Sequence, residues 1–453
     1  MQNILEDKKI SKFCYSSEIQ GNLLLFNSYN GKLISLKGIE KEQASSIIGG
    51  MADSDTNNFE IIIQKLTAYG FLVSKELDEE LLERKKYFDK VYDSGLGLII
   101  MPTEQCNFRC KYCYEKFEVA EMAQSTANNL ILFLRRNIRK YTSLNIAWFG
   151  GEPLLAMKKV ELISNAVIAL CKDRKIVYDS SITTNGFLLS LDVFRKLQKL
   201  HITRYQITID GIADIHDNMR VLCNGEGSFQ RIIDNLMEIK ENIRTPYVKF
   251  NIRVNVTQDS VDRIGEILLY MHEHFGDDRR FSFQFHAVGD WNNYNKKEQA
   301  DEDIKMLNST NLLYYKLVNS NIILNYEGYY HWLFDTMCYA SKRNHFVVGA
   351  DGKIYKCTVA FSHPQNQVGV LIDKGVIKWN EMLLARWISP RNIGEVTKCH
   401  NCFLCGSCHA KGCAFVGLVN EKNIGCGCEV DCIDYILQML YLSRGKHNLV
   451  EEV

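Results

Sequence analysis

Three cysteines on one short segment have the residue type and spacing to hold an iron–sulfur cluster. Cys106, Cys110 and Cys113 follow a Cys-x3-Cys-x2-Cys pattern, so each thiolate can bind one corner of an iron–sulfur cube. Three ligands for four irons leave one iron open to a further molecule. Zinc is the alternative, but zinc sites usually close with four ligands in paired Cys-x2-4-Cys units. The spacing therefore favours a [4Fe-4S] cluster with one open iron.

An open iron can chelate the amino nitrogen and the carboxylate of S-adenosylmethionine. An electron passed to the sulfonium then releases a 5′-deoxyadenosyl radical. Tyr112 directly precedes the third cysteine. The three cysteines and this tyrosine resemble the signature of the radical SAM superfamily, and the resemblance extends over about residues 97–290. The resemblance implies that Cys106, Cys110 and Cys113 are catalytic as cluster ligands. It also implies that the Tyr112 ring approaches the adenine of the cofactor.

Short motifs that resemble the same superfamily follow the cysteine loop. The first is glycine-rich and consists of Gly150, Gly151, Glu152 and Pro153. In the family its backbone carbonyls and glutamate meet the cofactor's amino group, whereas such a tetrapeptide alone is equally typical of a tight turn. Polar cofactor contacts are implied at four further positions, namely Thr184, Asn185, Thr208 and Asp210.

Two arginines are candidates for binding the cofactor's carboxylate. The resemblance implies that Arg220 or Arg253 holds it as a bidentate donor, although each also fits an ordinary surface or strand position. His216 and Arg220 form a His-x3-Arg pair that is also seen in relatives. On its own, this pair indicates a solvated helix start rather than a catalytic pair.

A second group of ten cysteines lies between residues 338 and 432 and resembles the SPASM extension of radical SAM enzymes. The resemblance implies two auxiliary [4Fe-4S] clusters, and so three clusters in total. Auxiliary cluster I, which could also have an open iron, is assigned to Cys338, Cys357 and Cys413. Auxiliary cluster II is assigned to Cys399, Cys402, Cys408 and Cys432.

The ligand assignment departs from the family's pattern in two respects. Four residues separate Cys408 from Cys413, where the family has three, and Cys405, Cys426 and Cys428 are additional. Cys426 or Cys428 could replace one of the assigned ligands. A zinc-ribbon-like domain is the alternative, because Cys-x2-Cys pairs also suit zinc.

The order of apolar and amphipathic segments predicts an α/β fold, a partial (β/α)6 TIM-like barrel. Six strands are predicted at residues 97–102, 144–149, 177–183, 205–209, 248–256 and 281–287. Helices are predicted at about residues 126–140, 160–173, 191–200, 229–240, 261–275 and 301–318. The active site of such a fold lies at the carboxyl ends of its strands. The cysteine loop and the next three motifs directly follow the first four strands, so they are expected at one face.

Three domains are predicted, over residues 1–94, 95–320 and 321–453. The first has strands at 22–26 and 33–36 and helices near 43–51, 58–69 and 76–91, which predict a winged-helix-like module. It resembles the peptide-recognition module of radical SAM maturases, which offers a strand edge and a helix groove to a leader peptide. A folding cap for the barrel is the alternative. In the third domain a hairpin is predicted over residues 347–354, turning at Asp351 and Gly352.

Composition limits the other classes of function. Lysine plus arginine number 54 and so do aspartate plus glutamate, which gives no argument for binding nucleic acid or an anionic membrane. No export signal is apparent, and no apolar run approaches the roughly 18 residues of a membrane helix, so a cytoplasmic protein is expected. In a reducing compartment, clustered thiolates hold metal more often than they form disulfides.

These resemblances imply an oxidoreductase that modifies ribosomally made precursor peptides. Sulfatase maturases, which make formylglycine, carry an aspartate after the cysteine that corresponds to Cys357, and here Thr358 stands there. This difference favours an oxidative crosslink instead, most simply a thioether from a substrate cysteine. The implied electron donor is reduced flavodoxin or ferredoxin. A non-catalytic iron–sulfur or zinc protein that binds peptides is the alternative from a different class.

Overall fold

The computed structural model describes residues 7–50, 59–257, 260–288, 323–325, 337–389, 402–408, 413–419, 433–442 and 451–452. Its first part contains strands β1 (Lys8–Ile10), β2 (Cys14–Ile19), β3 (Asn22–Asn27), β4 (Lys32–Leu36) and β5 (Leu72–Ser74), with helices α1 (Gly38–Ile48), α2 (Glu60–Ala68) and α3 (Glu79–Val91). Strands β2, β3 and β4 form an antiparallel meander, and β1 pairs with β5.

The first part has an apolar core of its own. Leu25 and Ile34 of the meander pack with Ile63 and Leu66 of α2, and all four are buried. The predicted strands and helices of this part are therefore found. Its role as a peptide-recognition module stays a prediction.

Residues 95–287 alternate strands and helices as predicted. The strands are β6 (Gly95–Ile100), β7 (Phe108–Cys110), β8 (Ser143–Trp148), β9 (Val177–Thr184), β10 (Ile202–Thr208), β11 (Arg220–Leu222), β12 (Lys249–Val256) and β13 (Phe281–Ala287). The helices are α4 (Gln124–Asn137), α5 (Met157–Arg174), α6 (Leu191–Lys199), α7 (Ala213–Met219), α8 (Phe229–Asn242) and α9 (Ile264–Phe275).

The six predicted strands pair in parallel in the order β6, β8, β9, β10, β12 and β13. This confirms the α/β class and the large parallel sheet, while the TIM-like barrel stays a prediction. The helix predicted at residues 301–318 lies outside the described residues. The short strands β7 and β11 were not predicted, and they pair only with each other.

Alternation along these strands gives the sheet two different faces, because successive side chains point to opposite sides. Ile182, Ile207 and Ile252 are buried in the main hydrophobic core. Their neighbours Thr183, Gln206 and Arg253 are polar, and they line a cavity. The strand pattern thus buries one face and leaves polar groups on the other.

The sheet continues beyond β6 into the C-terminal part of the chain. Strand β14 (His345–Val348) pairs in parallel with β6, and β15 (Lys353–Tyr355), β16 (Gln367–Ile372) and β17 (Val376–Trp379) follow antiparallel. The predicted hairpin is confirmed, with Gly352 at its turn at φ +83°. A Cβ at Gly97 of β6 would lie 2.2 Å from the His345 ring, so glycine permits this close pairing. The predicted domain limits stay a prediction.

The remaining described elements are short. They are α10 (Glu381–Ile388), α11 (Cys405–Cys408), α12 (Ala414–Val419), α13 (Ile433–Leu442) and β18 (Glu451–Glu452), which pairs in parallel with β4. Tyr15 of β2 stacks on Phe403, with ring centroids 4.4 Å apart, so the first part of the chain contacts the cysteine-rich segment before α11. Among the described helices, none combines the length and apolar character that crossing a bilayer requires.

Candidate active site

A cavity of about 980 Å³, open to solvent, lies at the carboxyl ends of the parallel strands. Most of the predicted site residues of the radical SAM part line it. They are Cys106, Cys110, Tyr112, Cys113, Gly150, Gly151, Thr184, Asn185, Thr208, Arg220 and Arg253. Three predicted residues, Glu152, Pro153 and Asp210, are buried next to the cavity without lining it.

The cysteine loop is fixed by a small antiparallel ribbon. Strand β7 carries Cys110 and pairs with β11, so that Cys110 lies opposite Arg220. The backbone N–H of Phe108 donates to the Cys106 sulfur at 3.3 Å, and the N–H of Cys113 donates to the Cys110 carbonyl at 3.0 Å. The three thiols therefore face the same cavity from a loop with defined geometry.

Three cysteine thiols that line one cavity are a donor set that fits a cubane cluster. Within the described part of the chain, no three His, Cys, Asp or Glu side chains lie close enough to share one ion. In a cubane each cysteine binds its own iron, so the sulfurs have to surround a cube instead. Burial raises the pKa of Cys106 to about 12 and that of Cys113 to about 11, and it also raises the pKa of Cys110. Binding a cluster would therefore release protons from these thiols.

The hydroxyl of Tyr112 is the centre of a buried hydrogen-bond network. It donates to Asp210, and it accepts from Arg220 Nη1 at 2.7 Å and from Asn255 Nδ2 at 3.0 Å. The N–H of Asn255 also donates to Asp210 at 3.1 Å. Burial raises the pKa of Asp210, against the opposing effects of Arg220 and Tyr112. Asp210 thus ties the cysteine loop to the end of β12, while the Tyr112 ring still lines the cavity.

Glu152 acts as a clamp between two strand ends. Its Oε1 accepts from Leu154 N at 3.0 Å and from Thr184 Oγ1 at 2.8 Å, and its Oε2 accepts from Asn185 N at 2.8 Å. The carboxylate is fully buried, with both oxygens engaged by protein groups. Its predicted contact with the cofactor's amino group stays a prediction, and the structure gives it this second role.

The glycines and proline of the same motif shape the loop after β8. Gly150 has φ +116°, and a Cβ there would lie 2.4 Å from the Thr103 carbonyl. A Cβ at Gly151 would lie 2.3 Å from the Glu104 carbonyl. Pro153 is buried at the start of a single 3-10 turn. The two glycines therefore let the loop approach the segment that leads into the cysteine loop.

Both predicted arginines belong to the cavity, which rules out an ordinary surface position. Arg220 lies over the Phe108 ring at 5.6 Å, and its buried Nε has no hydrogen-bond partner among the described residues. Arg253 donates from Nε to Asn255 at 2.9 Å. Each can therefore offer N–H groups to an anion in the cavity.

The interpretation of His216 as part of a solvated helix start is wrong. Its side chain is fully buried, and Nε2 lies 3.1 Å from the Ser228 hydroxyl. Burial, with Arg220 nearby, holds the pKa of His216 well below its usual value. His216 and Arg220 thus lie in the buried region where α7 meets β11.

Sequence reasoning missed several residues of the cavity wall. They are Tyr114, Glu115, Gln206, Asn255 and His286. Burial, followed by the charge of Arg253, lowers the pKa of His286 to about 3. Burial, followed by the charge of Glu104, raises the pKa of Glu115 to about 8. His286 Nδ1 donates to the Ala287 carbonyl at 2.7 Å, which leaves Nε2 as an acceptor. Its place at the end of β13 was the signal that could have found it.

The C-terminal cysteines are described only in part. Burial is the main cause that raises the pKa of the Cys357 thiol to about 12. Cys338 and Cys413 lie close enough for their charges to raise this pKa as well. The three residues assigned to auxiliary cluster I therefore lie in one part of the structure, and their binding of a cluster stays a prediction. Cys402 accepts a hydrogen bond from Cys405, which lowers the pKa of Cys402 to about 6, and Cys408 ends the same turn. The predictions for Cys399, Cys426, Cys428 and Cys432 lie outside the described residues.

Known proteins resemble the central part of the chain in sequence. The family model of the radical SAM superfamily matches residues 100–270. An uncharacterized protein of Methanocaldococcus jannaschii is 31% identical over 186 residues, which cover 40% of this chain and 59% of that protein. A cysteine-type anaerobic sulfatase-maturating enzyme of Clostridium novyi is 28% identical over 181 residues, which cover 38% of this chain and 47% of that enzyme. The chain thus spans about half the length of these relatives.

A solved structure resembles a larger part of the chain. Native anSMEcpe with bound AdoMet superposes with a TM-score of 0.57 at 20% identity, covering 78% of this chain and 100% of that chain. At this identity the likeness concerns the fold. The sequence match, by contrast, contains the cysteine loop and the strand-end motifs, and S-adenosylmethionine and an iron–sulfur cluster are expected for such a domain. Residues 100–270 of this chain are thus similar to the radical SAM superfamily.

Proposed function

We propose that this chain is a radical SAM maturase that installs an oxidative crosslink, most simply a thioether, in a ribosomally made precursor peptide. One observation carries the proposal. The charges of Cys338 and Cys413 act on Cys357, and the charge of Cys357 acts on Tyr114, which lines the cavity that also contains Cys106, Cys110 and Cys113. A second iron–sulfur cluster held by these cysteines would suit a reaction that must remove two electrons from its substrate.

The residues of the cavity divide between binding and positioning. Cys106, Cys110 and Cys113 would hold a [4Fe-4S] cluster, which with S-adenosylmethionine supplies a 5′-deoxyadenosyl radical. Arg220 and Arg253 offer N–H donors to a carboxylate in the cavity. The rings and polar groups of the remaining wall orient the reacting carbon and exclude water from it.

The electrons and atoms of thioether formation balance with two redox sites. One hydrogen atom passes from a substrate carbon to the 5′-deoxyadenosyl radical, which becomes 5′-deoxyadenosine. The substrate cysteine gives up its thiol proton, and its sulfur bonds to the carbon radical. One electron is then left over, and we assign it to an auxiliary cluster on Cys338, Cys357 and Cys413. The substrate loses two hydrogens in total for each crosslink.

The rest of the chain supports a peptide substrate. A solved structure of similar fold is native anSMEcpe with bound AdoMet and a Cp18Cys peptide. The N-terminal meander and helices would bind a leader segment of the precursor by strand addition. The C-terminal cysteines would form a SPASM domain, for a total of three [4Fe-4S] clusters. Reduced flavodoxin or ferredoxin would supply the first electron.

Formylglycine formation is the second candidate function. The similarity to the sulfatase-maturating enzyme of Clostridium novyi favours it. Thr358 argues against it, since its hydroxyl cannot serve as the carboxylate base expected at that position. The two candidates differ in what they do to the substrate sulfur: a thioether keeps it, and formylglycine formation from cysteine removes it.

Mass spectrometry of a co-expressed precursor peptide tests the proposal. We expect a loss of two hydrogens per crosslink, with no free thiol at the modified cysteine. The peptide should keep its full mass when Cys106, Cys110 and Cys113 are replaced by alanine. Replacement of a cysteine sulfur by a carbonyl oxygen would establish the second candidate. An unmodified peptide, recovered while 5′-deoxyadenosine accumulates, would contradict both.

A further inference from the structure

Two segments of the cysteine-rich C-terminal part meet the first part of the chain at Tyr15. The ring of Tyr15 on β2 stacks on Phe403, with ring centroids 4.4 Å apart, and its hydroxyl donates to Asp434 Oδ1 at 3.0 Å. Phe403 directly follows Cys402, and Asp434 stands two positions after Cys432. One side chain of the N-terminal part thus contacts both segments that carry the cysteines assigned to auxiliary cluster II.

The turn formed by residues 402–408, called the 402–408 turn below, receives hydrogen bonds from the N-terminal part. Its helix has only four residues, and so short a helix leaves most of its carbonyls without a partner inside it. Lys86 Nζ of α3 donates to the Gly406 carbonyl at 3.0 Å, and the Ser28 hydroxyl donates to the Phe403 carbonyl. The N-terminal part therefore supplies donors that the turn cannot supply to itself.

The two parts fit closely at Gly406. A Cβ there would lie 2.6 Å from the Tyr29 nitrogen. Lys86 joins the two sides, because its Nζ also donates to the Tyr29 carbonyl and lies 4.7 Å from the centroid of that ring. Asn27 fixes the receiving side, since its Oδ1 accepts from Tyr29 N at 2.9 Å and its Nδ2 donates to the Gly70 carbonyl at 2.6 Å. The surface that holds the 402–408 turn thus has a defined geometry of its own.

We propose that the N-terminal part holds the 402–408 turn and α13 in the arrangement that auxiliary cluster II requires, with Lys86 and Tyr15 as positioning residues. This inference rests on the proposed function, which assigns cysteines of these segments to that cluster. The turn carries three cysteines, which suits a cubane held by thiolates. Ligands from distant segments have to be brought to one place before they can bind a cluster together. The N-terminal part therefore has a role besides the binding of a leader peptide.

Hydrogen exchange of the metal-free full chain tests the positioning role without the cluster. The amides of Cys405 and Cys408 donate to carbonyls inside the 402–408 turn, at 3.1 and 2.8 Å, so their exchange reports its opening. In Lys86→Met we expect both amides to exchange about tenfold faster, because the Gly406 carbonyl loses a charged donor. Lys86→Arg keeps a charged donor and should restore most of the protection.

Lys85→Met is the matched control for Lys86→Met. Lys85 is the preceding residue of α3, its side chain is 69% exposed, and its Nζ pairs with Asp89 at 2.6 Å. We expect exchange in the 402–408 turn to stay at the wild-type rate in this variant. Equal acceleration in Lys85→Met and Lys86→Met would contradict the specific role of Lys86.

Tyr15 gives a second, independent pair of variants. Tyr15→Ala removes the contacts with both Phe403 and Asp434, so exchange should become faster in the 402–408 turn and in α13. Tyr15→Phe keeps the ring and loses only the hydroxyl, so the 402–408 turn should stay protected. If Lys86→Met does not fold, this pair decides the outcome.

The iron content of the reconstituted chain connects the positioning to the cluster. Lys86→Met and Tyr15→Ala should each lose about four of about twelve irons, whereas Lys85→Met should keep them all. Unchanged exchange in Lys86→Met and Tyr15→Ala, or full iron content in both, would overturn the inference and leave the proposed function in place. A wild type that holds only about four irons would instead overturn the auxiliary clusters of the proposed function, and the role of the N-terminal part with them.

Discussion

The two cysteine-bearing regions next to the cavity are held in different ways. The loop with Cys106, Cys110 and Cys113 is tied to three strand ends through Tyr112, whose hydroxyl contacts Asp210, Arg220 and Asn255. The loop with Cys357 is held by the side chain of Asn366, from the same antiparallel hairpin region. The first loop is therefore built into the parallel sheet, and the second into the strands added at its edge.

Under the proposed function, the first region would make the radical and the second would take up the electron left over from its use. The strands that fix the cysteine loop also supply the wall of the cavity, so the sheet itself sets the geometry around these cysteines. The Cys357 loop, by contrast, depends on local hydrogen bonds that a few substitutions can change, as at Thr358. Under the proposed function, the choice of reaction would therefore depend mainly on the second region.

The largest expected effect comes from Tyr112→Phe, which would loosen the first region. The substitution removes one buried hydrogen bond each from Asp210 Oδ2, Arg220 Nη1 and Asn255 Nδ2, and each buried polar atom left unsatisfied costs about 1–3 kcal/mol. We expect the free energy of unfolding to fall by about 3 kcal/mol or more, measured by urea denaturation. Iron bound at the first loop should also fall. Tyr247→Phe is the control, because Tyr247 is 69% exposed, and a similar loss there would contradict the assignment.

A smaller and more local effect is expected from Asn366→Ala. Its four hydrogen bonds close the loop that carries Cys357, so we expect a loss of about 2 kcal/mol in the free energy of unfolding. About four irons per chain should be lost, while release of 5′-deoxyadenosine continues. The matched control is Asn380→Ala. Asn380 caps α10 by accepting from Leu383 N at 3.1 Å, and its loss should cost about 1 kcal/mol without loss of iron. Equal iron loss in both variants would contradict the role of Asn366.

The smallest expected effect is a pH dependence at the junction of the two regions, where β14 pairs with β6. Burial lowers the pKa of His345 from 6.5 to about 4. The charges of Lys342 and Lys356 also lower this pKa, and the charge of Asp93 opposes them. Between these values the unfolded chain binds more protons at this residue, so stability is full above pH 6.5 and falls as the pH drops toward 4.

Comparison with His345→Gln isolates this contribution. From about pH 7 to about pH 5.5 the wild-type free energy of unfolding should fall by about 1 kcal/mol more than that of the variant. Parallel pH profiles of the two proteins would show that His345 does not carry the effect. The measurement is urea denaturation at each pH.

The sequence was most informative where chemistry depends on spacing along the chain. The cysteine triplet, the glycine-rich motif and the strand ends could be predicted, because parallel strands bring their carboxyl ends to one face. Asn255 and His286 carry no motif, and their roles depend on which strands become neighbours. The β7–β11 ribbon also joins residues more than a hundred positions apart. Short strands of this kind have too few residues to show a period.

The burial of charged side chains could not be predicted from the sequence either. Glu152 and Asp210 were expected to contact the cofactor, and the structure shows that protein N–H and O–H groups surround their oxygens. His216 was expected in solvent and is buried. In each case the partners come from distant segments, so only the packed structure reveals them.

The release of 5′-deoxyadenosine by the anaerobically reconstituted chain, with dithionite and S-adenosylmethionine, tests the central claim most directly. We predict release by the wild type, which should hold about twelve irons, and continued release by Cys357→Ala. The variant with Cys106, Cys110 and Cys113 replaced by alanine should release none. Release at the wild-type rate from that triple variant, or none from the iron-loaded wild type, would contradict the assignment of these cysteines to a radical SAM cluster.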